Sequence, residues 1–543
     1  MFVRMHTLTA GRRERVASFA VTALVLIAIL QPELHYVPIW DGRVYANCAI
    51  EAASNGFAGL SMESLRCGGH PTQAYIGILA VSQLFRFGDI AALHLTNVAL
   101  GVGALACIRI VLARLFPDPA HARQLDIVTV LCAVHPVLLS TLIQPNVDFG
   151  VYVFFFATLA ALLSGRFVWA ALAGVLLCFS KETGVLAYGV TAGLYVLFRA
   201  LEAGTPAERV RLVLRMWATA LPLALFGVHV LWWNSSHAQA AVWKHTWQEG
   251  TIDGFRFFDL SDPVFVSYAA GIFVVGFMWV VSAIIAADLA WGGVRMARRL
   301  PKRAVPGADT NRLAYFTTLT VVLTYLLTSF RTWSNLRYFA LLYPLLVILA
   351  FVSMLRLGIK WQARALALVA IAALFAMSVY RSWDPVARAV YGTFPIGQGE
   401  MYRMSSITRE YAGPGRDELV YNLQFTGYHH VQNALFHALQ PTDSTAFATS
   451  RVARWNIWSQ LDAATRERTM SQESVVVPRY WDDLDLLASP KRPREVWFLE
   501  FSYRPDNDPT LASLNGLYRE TGVTRTLTRG HLLVAHHLEL ITP

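Results

Sequence analysis

The chain has 543 residues, 55% hydrophobic and only 15% charged, against roughly a quarter charged in a soluble protein, which excludes an ordinary soluble fold. Lys and Arg number 46 against 36 Asp and Glu, a formal charge of +10. The basic residues fall in short loops between apolar runs, so they mark membrane topology and not a nucleic-acid partner.

The residues through Arg15 are basic, and Val16 to Leu30 is apolar with no small-residue cleavage site after it. This is the pattern of an uncleaved signal anchor, with a first span at 16–31. A polar loop follows at 32–90. Within it, Val44, Ala46, Ile50 and Ala53 recur at helical spacing, predicting a surface helix over 43–55. The apolar segment 74–85 falls short of the ~20 residues a span needs. If it stays on the surface, the next spans are 91–113, 126–143, 149–164, 167–181, 183–199, 213–233, 263–290, 313–330, 338–356 and 363–380. Arg114, Arg123, Arg166, Arg209, Arg211, Arg295, Arg298, Arg299, Lys302, Arg303, Lys360 and Arg364 then share the inner side with the N-terminal arginines. If it crosses, they lie outside, against the positive-inside rule. The fold class is therefore a polytopic α-helical membrane protein of about eleven spans, with two interfacial helices in its first outer loop.

The outer loop 234–262 carries Trp243 and Trp247, with Trp232 and Trp233 at its edge, and reads as an aromatic belt or a substrate lid. The basic loop 291–312 reads as a cytoplasmic connector. The chain divides into a membrane domain, 1–380, and a more charged extracytoplasmic domain, 381–543. In the latter, strands at 419–421, 496–501 and 531–536 with helices at 430–439 and 511–520 predict a small α/β unit. Cys48 and Cys67 share the first outer loop, where a disulfide is an open possibility. Cys107, Cys132 and Cys178 lie in apolar runs and read as packing residues.

On this topology several polar steps share the outer face. Asp41 follows the first span, and Glu51 comes ten residues later near the end of the expected helix 43–55; alone, each reads as a solvated acid. Gly68-Gly69-His70-Pro71 precedes the second interfacial helix, where His70 could be an ordinary turn residue. Asp148, in Gln144-Pro145-Asn146-Val147-Asp148, is an acid between two apolar runs, or an acid suited to a helix start. Ser180-Lys181-Glu182-Thr183-Gly184 joins two spans and could be a satisfied ion pair or a phosphate site. Arg337-Tyr338-Phe339 adds a cation at the entrance to a late span, with Arg331 nearby. Together, acids and cations on one membrane face suit transfer from a lipid-linked sugar phosphate: an acid takes the acceptor's proton, and cations meet charge growing on the phosphate.

The order of these motifs resembles the GT-C superfamily of membrane glycosyltransferases, particularly its protein O-mannosyltransferase and aminoarabinose transferase branch. The resemblance covers residues 16–380 and rests on an acid after the first span, the His70-Pro71 step, Asp148, the Lys181-Glu182 step and Arg337-Tyr338-Phe339 followed by Pro344. It implies a polyprenyl-phosphate-linked sugar donor used on the extracytoplasmic side, with a glycan, lipid or protein acceptor. It maps Asp41 to the catalytic base and Asp148 to the second acidic position. Lys181 and Arg337 fall where phosphate contacts are expected, with His70, Glu182 and Tyr338 beside them. Two departures stand out. Thr72 replaces a second proline after Pro71, and Gly42 stands where the family often has a second acid; the latter argues against a metal held by neighbouring carboxylates, so no cofactor is expected. The rival readings are a transporter or lipid flippase, which would place its ionisable residues near the bilayer midplane; a ligase using Lys244, His245 and Arg256 of the large outer loop; and an assembly protein without activity.

Overall fold

The computed structural model describes residues 41–67, 70–142, 145–236, 276–298, 305–329 and 336–381. It also describes the segments 446–449, 480–482, 494–499, 516–528 and 531–541, and isolated positions elsewhere. The span expected at 16–31 is described only at scattered positions. Trp243, Trp247, Arg331 and the elements expected at 419–421 and 430–439 lie outside the described residues.

The segment between the expected span 16–31 and residue 90 holds two helices, as expected: α1 (Asp41–Ser54) and α2 (Gln73–Phe85). They pack on each other, and the Cys48–Cys67 disulfide ties α1 to the segment leading into α2. The linking segment is held from within. Thr72 Oγ1 accepts from the Cys67 N–H and donates to the Leu65 carbonyl, so Thr72 ties the end of this segment to its start. With its 19-residue separation, the disulfide is worth roughly 3 kcal/mol by loop-closure entropy. Cys48→Ser is expected to lower thermal stability by that order in detergent, and an unchanged melting temperature would show that Thr72 and the helix packing suffice.

The bundle follows: α3 (Ile90–Leu115), α4 (Ala122–Ala133), α5 (Pro136–Leu142), α6 (Val147–Leu163), α7 (Phe167–Cys178), α8 (Glu182–Glu202), α9 (Pro206–Arg215), α10 (Leu221–Ser236), α11 (Met278–Ala297), α12 (Thr310–Ser329), α13 (Leu342–Arg356) and α14 (Trp361–Arg381). The helices α6 and α13 are apolar on every side and buried along most of their length, as all-round apolar helices must be. Among the described residues α3, α8 and α11 are by themselves long and apolar enough to cross a bilayer, and α9 with α10 passes as a span bent by 59°. The helices α6, α7 and α13, and the stretch Trp361–Ala376 of α14, are apolar but shorter.

Three expectations change. The span expected at 126–143 is two helices, because Pro136 has no N–H to donate and disfavours helical backbone at His135. The connector expected at 291–312 begins as the end of α11, which runs to Ala297. Before the span at 213–233 stands α9, a separate amphipathic helix opened by a Thr205–Glu208 capping box.

The C-terminal strands are β1 (Ala446–Thr449), β2 (Tyr480–Asp482), β3 (Glu495–Leu499), β4 (Tyr518–Thr528) and β5 (His531–Leu540), in the order β2-β1-β3-β5-β4. The pairs β1–β2 and β1–β3 are parallel; β3–β5 and β4–β5 are antiparallel. The helix expected at 511–520 gives way at Tyr518 to β4, which pairs with β5 along its length except for a bulge between Glu520 and Gly522. The long ladder and residues such as Val523, Thr524 and Thr526 override the short helical pattern.

Candidate functional site

Loops and helix ends converge at one end of the bundle. There α6 and α8 begin, α7 ends, the 3-10 turn Leu336–Phe339 leads toward α13, and the 66–72 segment enters α2. The capping residue of α6 is Asn146, whose side chain accepts from the Asp148 N–H at 3.0 Å. Asp148 thus occupies the first helical turn, where an acid is favoured. Beneath it, the Tyr75 hydroxyl of α2 accepts from the Asn146 N–H at 3.1 Å and donates to Asn97 of α3 at 2.8 Å. A Cβ on Gly150 would stand 2.9 Å from the Tyr75 side chain, so this glycine lets α2 lie against α6.

The Lys181-Glu182 step is held as firmly. The Ala74 N–H of α2 donates to the Phe179 carbonyl at 2.9 Å. The first turn of α8 crosses the last turn of α7 so closely that a Cβ on Gly184 would lie 2.2 Å from the Leu177 carbonyl oxygen. That is the physical reason for glycine in Lys-Glu-Thr-Gly.

The side chains form two linked groups. Asp148 Oδ1 meets Lys181 Nζ at 2.7 Å and Oδ2 meets Arg337 Nε at 3.3 Å. Asp148 is 4% exposed, and Lys181 and Arg337 are each 8% exposed. The Tyr338 ring underlies both cations, 3.9 Å from Lys181 Nζ and 5.4 Å from the Arg337 guanidinium carbon. Next along the chain, Glu182 accepts from His70 Nδ1 at 3.0 Å. A carboxylate only accepts, so Nδ1 carries the proton and a neutral ring keeps a lone pair on Nε2.

The sequence did not single out Arg66. Its guanidinium lies 3.7 Å from the centre of the Trp233 ring. Burial pulls Arg66 down to about 10 while Glu182 opposes the shift, so it stays charged at neutral pH. Trp233 is buried under this cation and Trp232 is exposed, so of the two only Trp232 fits a membrane belt. The missed signal was the neighbourhood of the disulfide: an arginine next to a bridged cysteine is held in place.

Asp41 is the first residue of α1; its side chain lies outside the described part. Glu51 is exposed on the same helix. His70, Asp148, Lys181, Glu182, Arg337 and Tyr338 lie within these two groups. Their chemistry is legible from charge. Three cations (Lys181, Arg337 and Arg66) face two carboxylates, and the N-terminal ends of α6 and α8 add positive potential. Such a site favours an incoming anion. Both Asp148 oxygens already face cations, so Asp148 is arranged to hold them and not to receive a further proton donor.

No family model and no curated protein matches the sequence. The structure is similar to the crystal structure of ArnT from Cupriavidus metallidurans bound to undecaprenyl phosphate, with a TM-score of 0.52 at 14% identity, covering 96% of this chain and 98% of that one. It is also similar to the same protein in the apo state, with a TM-score of 0.51 at 14% identity, covering 97% and 98%. The likeness spans nearly the full length of both chains and shows a shared fold.

Proposed function

We propose that the chain is an integral-membrane glycosyltransferase that moves a sugar from a polyprenyl-phosphate-linked donor to an acceptor hydroxyl on a glycan, lipid or protein outside the cell. The observation that carries this is the buried Asp148–Lys181–Arg337 cluster over Tyr338. Its likeness in fold to an ArnT that holds undecaprenyl phosphate supports the choice of donor. The site and the 381–543 domain face the extracytoplasmic side, consistent with the charge distribution between spans.

The acceptor oxygen attacks the anomeric carbon as the bond from that carbon to the phosphate oxygen breaks. The polyprenyl phosphate leaves with the electron pair, and the base takes the acceptor's proton. Asp41 is that base, Asp148 orients the two cations, and Lys181 and Arg337 meet the charge on the leaving phosphate. One displacement inverts the anomeric centre. No metal enters the proposal. A transporter is less well supported, because the cluster gathers at helix ends and not at broken helices in mid-span.

A second reading of the base has one observation behind it. The His70–Glu182 pair is an imidazole oriented by a carboxylate, whose Nε2 accepts a proton when the ring is neutral.

The donor assignment is tested with purified protein in lipid nanodiscs. Undecaprenyl phosphate is expected to bind the wild type, and Lys181→Ala to weaken that binding by roughly ten- to a hundredfold, as for a lost charged hydrogen bond. Equal affinity in the two proteins removes Lys181 from the phosphate site; no binding to either overturns the donor class.

A further inference from the structure

A second cationic site stands at the opposite end of the bundle. The helix α8 begins at Glu182 beside the cluster and carries Arg199 in its last turn, about 25 Å further along at 1.5 Å per residue. There a cavity of about 220 Å³ opens between the ends of α3, α8, α9 and α12. Arg114, Arg199, Arg215 and Arg312 line it, with Glu202 as the one acid in its wall. Glu202 is spoken for by Arg199. Arg114 donates to Ser164 Oγ at 3.2 Å, and Arg312 pairs with Asp309 at 3.4 Å. Arg215 has no hydrogen bond or ion pair among the described residues.

The inner wall is aromatic and fixed. Tyr195 and Tyr315 meet edge to face at 5.4 Å, and the Tyr315 hydroxyl donates to the Thr191 carbonyl at 3.0 Å. Exposed apolar residues stand on the same two helices, away from the cavity wall: Leu197 and Leu201 on α8 and Val213 and Leu214 on α9. The helix α9 is amphipathic, and the chain turns 59° between it and α10. A short amphipathic helix at such a bend, with Trp217 exposed beside it, lies in the plane of a membrane surface. The cavity then sits at headgroup depth, with arginines toward the polar layer and leucines toward the acyl chains.

We propose that this cavity binds a phosphate-centred anion, supplied as the headgroup of an anionic phospholipid whose chain lies along the exposed leucines. Four convergent guanidiniums suit phosphate oxygens geometrically, and basic pockets between membrane helices take such headgroups. The site is separate from the cluster around Asp148, and the inference does not depend on the reaction proposed there.

The test uses the full-length protein in detergent micelles, with bound lipid read by native mass spectrometry. Phosphatidylglycerol is expected to be retained by the wild type and bound about 100-fold more weakly by Arg199→Gln/Arg215→Gln/Arg312→Gln, at about fivefold per arginine lost. Arg215→Gln alone, at an exposed position, is expected to weaken binding without altering the thermal melt. Failure of millimolar inorganic phosphate to displace the lipid supports a headgroup site. Displacement by phosphate supports the same anion site with a soluble source. Equal retention of phosphatidylglycerol by wild type and triple variant, or retention of phosphatidylcholine equal to that of phosphatidylglycerol, overturns the proposal.

Discussion

Replacing Asp148 with Asn is expected to destabilise the protein by roughly 3–5 kcal/mol, the cost of leaving a buried ion pair without one of its partners. The effect is large because one carboxylate serves two buried cations, Lys181 at 2.7 Å and Arg337 at 3.3 Å. Without it, two like charges face each other where water is scarce. A second substitution separates stability from chemistry. Asp148→Asn with Lys181→Met removes one orphaned charge and is expected to recover much of the thermal stability. It should not recover glycosyl transfer, because Lys181 is the group proposed to meet the leaving phosphate. Thermal melts and transfer rates on the wild type, the single variant and the double variant check this. A single variant with wild-type stability and rate would remove Asp148 from any central position.

Asp41→Asn is expected to lower transfer by about 10²- to 10⁴-fold, the usual contribution of a general base. Expression and undecaprenyl phosphate binding should be unchanged. Asn serves the start of a helix about as well as Asp, so α1 is expected to keep its fold. The comparison variant is His70→Gln. If Asp41 is the base, His70→Gln has the smaller effect on turnover, acting through the Glu182 contact beside the cations. If Asp41→Asn transfers at the wild-type rate and His70→Gln loses the activity, the base is the His70–Glu182 pair. Initial rates at saturating donor distinguish the two, because donor affinity then drops out.

Much of this site could be read from the sequence because its parts are short and local. Lys181-Glu182 and Arg337-Tyr338 interrupt apolar runs, and ionisable residues there need partners. The partners themselves were not legible. Nothing local says that Asp148 holds both Lys181 and Arg337, or that Glu182 takes His70 and not its neighbour Lys181. Those pairings depend on α2 lying across the start of α6 and the end of α7, where Tyr75 reaches Asn97 and Asn146 and the Ala74 N–H reaches the Phe179 carbonyl. Arg66 went unnoticed because its partner, the Trp233 ring, comes from a distant helix.

Some elements were misread for the same reason. The hydropathy of 126–143 is continuous, but Pro136 breaks the backbone hydrogen bonding where apolar character does not change. The segment 511–520 carries a helical pattern, but Tyr518 onward is claimed by β5, whose ladder satisfies its backbone.

Composition, apolar period and the distribution of basic residues determined the membrane class, the two helices between the first expected span and residue 90, and the polar steps at the helix ends. Bilayer thickness and the positive-inside rule act on local sequence, so local sequence reports them. The tertiary structure alone decided which charges meet, how deeply they are buried and that four arginines from separate helices converge on one cavity. Coulomb energy and burial depend on distance in space, and that is set only when the helices pack.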